Sequence, residues 1–176
     1  MTDVLKRFYE FCKRLGGTNA TAELKSPQHD LYILTCKSGD KVLFQGFSMK
    51  GEIFVNLTPH KMTFLNPDLA KEGKYVKWFE LEGAPELAKK LSAKMLEKVV
   101  SEKSGIEFVD FVYDITPEGE ELRNLATELG IHLISSIISA DAYGYPVVSP
   151  VLPPELMRAP PEKKMAYPNK FHTKMK

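Results

Sequence analysis

The sequence predicts a single domain of the α+β or α/β class, built on a mixed β-sheet. Three observations predict it: a first half made of short apolar runs joined by tight turns, a strand–helix–strand spacing after residue 105, and a proline-rich segment after residue 140. A chain of 176 residues suits one domain. A chain of that size buries about 70% of the surface its unfolded form exposes. We place the globular domain at 1–154 and an extended, basic, proline-rich tail at 155–176.

Residues 3 to 15 read as an amphipathic helix, because Val4, Leu5, Phe8, Cys12 and Leu15 recur at helical spacing. Thr2 or Asp3 caps its start and Gly16-Gly17 ends it. Leu31 to Cys36 and Val42 to Phe47 form a hairpin about the turn Lys37-Ser38-Gly39-Asp40. Met49-Lys50-Gly51 turns into a third strand, Ile53 to Leu57, which Pro59 stops. Met62 to Leu65 and Tyr75 to Leu81 follow as further strands. Pro85 opens the longest expected helix, with Leu87, Leu91, Met95, Leu96, Val99 and Val100 on one stripe and lysines off it. Ser104-Gly105 closes that helix. Ile106 to Ile115 is a strand, Thr116-Pro117 caps a helix that Gly130 ends, and Ile131 to Ser139 is a second strand. This spacing predicts a right-handed crossover. From Ala140 onward the prolines rule out regular helix and central strand.

Composition narrows the function classes. Hydrophobic residues make up 43% and charged residues 27%, as in ordinary globular proteins. A net charge of +1 argues against a generally basic nucleic-acid binder. The tail from Glu155 carries six basic residues against two acidic ones. Its Lys163, Lys164, Lys170 and Lys174, beside Tyr167 and Phe171, could neutralise phosphates while the rings stack on bases. Such a tail also serves as a solubilising end or as an arm on a neighbouring subunit, which would make the chain a homo-oligomer. No segment reaches the ~20 apolar residues of a membrane span, and the N-terminus lacks a signal-peptide pattern. The cytoplasm is therefore the expected compartment, with Cys12 and Cys36 as buried reduced thiols. Abundant lysine and glutamate hint at a thermophilic source.

Two polar clusters end apolar runs. Asn56, Thr58 and His60 close the run that starts at Ile53, and His60 is a candidate general acid or base, or a phosphate ligand. Ser139, Asp141 and Tyr143 follow the run from Ile131, at the kind of strand end where open α/β sheets place ligands. A site joining the two would recognise phosphate and base, with hydrolysis at His60 as its stronger form. Either cluster also makes sense as a self-bonded turn. The four histidines show no metal-ligand spacing, and no nucleotide-binding or hydrolase signature is present, so no metal or cofactor is expected.

Val55-Asn56-Leu57-Thr58-Pro59-His60, with Leu133 to Ala140 and Val147-Val148-Ser149-Pro150, resembles an uncharacterised group of prokaryotic and phage-associated proteins. That group is marked by a strand running into Asn-Leu-Thr-Pro-His. The similarity covers residues 53–65 and 131–150. It implies a link to mobile elements or defence and directs attention to the same positions. The leading expectation is a nucleotide- or nucleic-acid-binding protein. The alternative is a non-enzymatic interaction protein that docks on another subunit through its C-terminal arm.

Overall fold

A computed structural model describes residues 2 to 175. The first half forms as the turns dictate. Helix α1 (Thr2–Arg14) is followed by strands β1 (Asn19–Ser26), β2 (Leu31–Ser38), β3 (Lys41–Met49) and β4 (Glu52–Asn56), each antiparallel to the one before. Then come β5 (Met62–Leu65), the one-turn helix α2 (Pro67–Ala70), β6 (Lys77–Leu81) and the one-turn helix α3 (Pro85–Ala88). The second half holds β7 (Ala93–Lys103), β8 (Ile106–Ile115), α4 (Pro117–Leu129), β9 (Ile131–Ile134), α5 (Ile137–Tyr143), β10 (Val147–Pro150) and β11 (Phe171–His172).

The fold is α+β, with a seven-stranded mixed sheet in the order β1-β2-β3-β4-β9-β10-β11. Strand β9 runs parallel to both β4 and β10, and all other neighbours are antiparallel. Alternation along the strands buries both faces. Val55, Leu133 and Val147 join Phe8, Phe11 and Phe44 under the long helices, whereas Ile134 and Val148 join Phe47, Phe64 and Phe79 under the β5–β6 ribbon. The first layer is a helix-on-sheet core; the second is an aromatic one in which Phe47 stacks on Phe54 at 5.1 Å between ring centroids.

Several expectations need correction, among them that prolines rule out helix and central strand from Ala140 onward, since α5 runs to Tyr143 and β10 lies between β9 and β11. The segment expected to extend the Pro85 helix is helical only to Leu91, and residues 93–103 form β7, paired along its length with β8. The stripe of Met95, Val99 and their neighbours fits period 3.6, but the long-range partner at 106–115 wins. Strand β8 consequently lies outside the main sheet, and the crossover is β9–α5–β10 rather than one starting at Ile106. The run from Ile131 ends as a strand at Ile134, and Ser136 caps α5 through its side chain. The C-terminal segment lies along the body. Ala166 bridges to Phe64, β11 pairs with β10, and Phe171 stacks on Phe54 at 4.6 Å. The Tyr75 hydroxyl donates to the Glu155 carboxylate at 2.8 Å, a bond that raises the tyrosine pKa. The carboxylate pKa is lowered by Glu155's own backbone N–H and by that hydroxyl.

Cys12 and Cys36 form a disulfide, in place of the expected free thiols. The inward faces of α1 and β2 meet there, with the two Cα atoms 5.6 Å apart, inside the range a disulfide needs. Cysteine usage therefore no longer argues for a reducing compartment. The bridge spans 24 residues of sequence, and closing a loop of that size in the unfolded chain is worth about 3 kcal/mol. The double variant Cys12→Ala/Cys36→Ala should lose about that much stability in urea denaturation, and reductant should then have no further effect. An unchanged midpoint would show that the bridge contributes nothing.

No helix among the described residues is long and apolar enough to cross a membrane.

Candidate functional site

Strands β4 and β9 end side by side, where Leu57 N–H donates to the Ile134 carbonyl at 3.0 Å, but the two expected clusters follow different paths from there, the first into the turn after β4 and the second onto α5. Their side chains, however, turn to different tasks. Asn56 is fully buried. Its Nδ2 donates to the carbonyls of His60 (3.1 Å) and Glu82 (3.0 Å), and its Oδ1 accepts from the Thr58 N–H (3.0 Å) and hydroxyl (2.7 Å). The carboxamide thus ties the turn after β4 to the chain leaving β6. Gly83 completes the tie, because a Cβ there would approach the His60 backbone to 2.7 Å. Thr58 closes the turn, half-buried, and the His60 imidazole projects into solvent without a side-chain hydrogen bond or ion pair among the described residues.

The second cluster fastens two other parts of the chain. Ser139 and Tyr143 are buried on α5 and face the foot of the β7–β8 hairpin. Ser139 Oγ donates to the Leu91 carbonyl. Tyr143 Oη donates to the Ser92 carbonyl at 3.0 Å and accepts from the Thr116 N–H at 3.2 Å, so one hydroxyl holds both ends of the hairpin. Its ring is 1% exposed and has no face to offer a base. Gly119 lies against that hydroxyl so closely that no Cβ fits between them. Asp141 instead accepts from His172 Nε2 at 2.7 Å, which pins the end of the tail.

The tail lysines are exposed, but their aromatic companions are engaged. Lys170 Nζ lies over the Tyr167 ring at 4.4 Å, and Phe171 is on the sheet. Lys164 reaches an open groove of about 400 Å³ whose walls include Ile137, Leu152 and Met157, with Ser149 and His172 at its polar end. Ser149 and His172 are register partners on β10 and β11. His132 is a polar core residue the sequence reading left unassigned. It is buried, stacks on Phe54 at 4.4 Å and bonds the Ile53 carbonyl and the Tyr145 hydroxyl.

The largest feature that sequence reasoning missed is the hairpin itself. Every residue from Lys94 to Asp114 is exposed. Two-residue alternation assigns the faces. Met95, Val99, Val109, Phe111 and Tyr113 share one face, from 36% to 51% exposed. That face begins at Ala93 and Ile115, which pack against the main core, so the apolar surface runs from core to arm without a break. On the opposite face Lys94 lies across from Asp114 and Lys98 across from Asp110, with Leu96 and Val112 between them. The signal available in sequence was the paired run 93–103 and 106–115 about Ser104-Gly105, two residues whose φ values are 55° and 77°.

Among the described residues no group of three or more His, Cys, Asp or Glu could hold a metal ion. Searched against protein-family models, curated proteins and solved structures, the chain matches none.

Proposed function

We propose that this chain is a non-enzymatic assembly protein: the α+β body is a scaffold and the β7–β8 hairpin is an arm that docks on another protein. The observation that carries this reading is the exposed apolar face of the arm. A lone two-stranded ribbon is marginal in water, and contiguous apolar surface of this kind marks interaction sites. Neither long edge of the ribbon has a neighbouring strand among the described residues, although the Phe111 N–H donates to Asp110 Oδ1 at 2.9 Å, and a partner strand satisfies such edges. The docking element is thus the hairpin and not the C-terminal segment, which lies on its own body.

Replacing residues 94–114 with a short Asn-Gly turn tests the reading. The body should keep its circular dichroism and melting behaviour, because its cores lie elsewhere, and fluorescence of the apolar probe bis-ANS should fall sharply. Equal probe binding by the shortened and full chains would count against a docking arm.

A second reading keeps the expectation of a nucleotide ligand but moves it from His60 to the groove beside the tail. There Lys164 and His172, whose Nε2 is held by Asp141, lie with Ser149 next to an apolar wall, a lining that suits a phosphate attached to a hydrophobic base. A thermal-shift screen with nucleotides at two salt concentrations checks it. A shift that His172→Ala abolishes and His60→Ala leaves intact is the expected outcome. No shift with any nucleotide removes this reading.

A further inference from the structure

Resting on the docking-arm reading, we infer that the arm's partner is a second copy of this chain, paired edge to edge with β7 of one copy beside β8 of the next. The charges on the polar face select that arrangement. Strand β7 presents Lys94 and Lys98 there, and β8 presents Asp110 and Asp114 at the same levels. When hairpins join β7 to β8 of the neighbour, each lysine row lies between two aspartate rows, and the alternation of charge set by the register within one arm continues across the seam. Pairing β7 with β7 sets lysine rows side by side, and β8 with β8 sets aspartate rows side by side. Like charges directly opposite across strands are destabilising, so both symmetric pairings are disfavoured.

Adjacent strands share their faces. Joining the arms this way therefore sets Met95 and Val99 of one copy beside Tyr113 and Val109 of the next, so that these apolar side chains cover one another across each seam, and pairs the strand edges of each ribbon. An interface that pairs two different edges is heterologous, and its repetition closes as a ring or runs on as a filament. The bodies follow rigidly, because Tyr143 and Ser139 fix the foot of the arm. A lipid surface fits less well, because Glu97 sits in the middle of the apolar face, opposite Phe111.

The test uses single-cysteine probes on the full chain. Cys12 and Cys36 are buried and bonded to each other, so an added thiol reports alone. Leu96 and Val112 are level with each other. Mixed under mild oxidation, the Leu96→Cys and Val112→Cys proteins should cross-link to each other, and neither should cross-link to itself. Homodimers of Leu96→Cys or of Val112→Cys would overturn the proposed edge. A companion pair, Lys94→Asp/Lys98→Asp and Asp110→Lys/Asp114→Lys, should each associate about tenfold or more weakly alone and assemble when mixed. Mixing leaves the like charges within each arm unchanged, so recovery reports contacts between chains.

Sedimentation velocity on the unaltered chain separates the two levels of the argument. A monomer at every concentration, with bis-ANS binding that depends on the hairpin, overturns self-pairing and leaves the docking arm standing. A monomer whose probe binding ignores the hairpin overturns both. Hairpin-dependent attachment of a monomer to anionic phospholipid vesicles gives the arm a lipid partner and likewise overturns both.

Discussion

Substituting leucine for Asn56 should destabilise the protein by about 4 kcal/mol, a large loss for a single change, whereas His60→Ala should stay within about 0.5 kcal/mol. The contrast follows from where the two side chains point. The Asn56 carboxamide is fully buried and holds the Thr58 N–H and the carbonyls of His60 and Glu82, three groups on two separate stretches of chain. Leucine has the size for the site but neither donates nor accepts. Each orphaned buried group then costs about 1–3 kcal/mol, reduced where water can reach it from the Glu82 side. Asn56→Asp should be nearly as damaging, because it aims carboxylate oxygens at two carbonyls. Among the described residues the His60 ring has no such bonds, and it stands in solvent. Urea denaturation of the three variants decides the matter. A His60→Ala loss comparable to that of Asn56→Leu would mean that the imidazole has a structural partner in solution.

This pair of residues shows what was legible in the sequence. Residue types alone single out the Asn-Leu-Thr-Pro-His segment, as a ligand site or as a self-bonded turn, and the bonds observed are those of a turn. Residue types did not reveal that Asn56 uses every bonding position to brace a distant loop, because Leu81 to Gly83 arrive from 25 residues away. The β2–β3–β4 meander was readable for the opposite reason: its turns at Gly39-Asp40 and Lys50-Gly51 are local. Helix α4 was readable from its own ends, with Thr116 accepting from the Gly119 N–H and Gly130 in the left-handed conformation.

Where local signals were weak or double, reading failed. Strand β1, Asn-Ala-Thr-Ala-Glu-Leu-Lys-Ser, has few large apolar residues because it is an edge strand, and it was missed. Strand β7 carries apolar residues at positions that satisfy helical and strand periods at once. Its choice depends on β8, which lies beyond a turn whose glycine reads equally well as a helix cap. Proline density in the last 30 residues reads as irregular chain, yet β10 forms there between β9 and β11 with its proline at the strand end, and composition could not say whether the rest would leave the body. Buried contacts such as Phe171 on Phe54 keep it there.

Tyr143→Ala is the other change of large effect, expected to cost about 4 kcal/mol because it empties the space of a fully buried aromatic ring. Tyr143→Phe separates the ring from the hydroxyl. Phenylalanine keeps the packing and releases the Ser92 carbonyl and the Thr116 N–H, a loss of about 1–2 kcal/mol. Those two groups are the feet of the arm, so the consequence should be local. Amide hydrogen exchange along residues 93–115 should quicken in the phenylalanine variant while the sheet strands β2, β3 and β4 keep their protection. Unchanged exchange in the arm would show that its foot is held by the other bonds there, Ser139 to the Leu91 carbonyl and Thr116 to the Lys90 carbonyl at 3.0 Å. The distinction bears directly on assembly. A ribbon hinged loosely at its foot pays the entropy of ordering whenever it pairs with a neighbour, whereas one clamped at both ends presents its edges in a fixed direction. Tyr143→Phe should therefore weaken association between chains as well as loosen the arm, although the residue lies on α5 and not on the proposed seam.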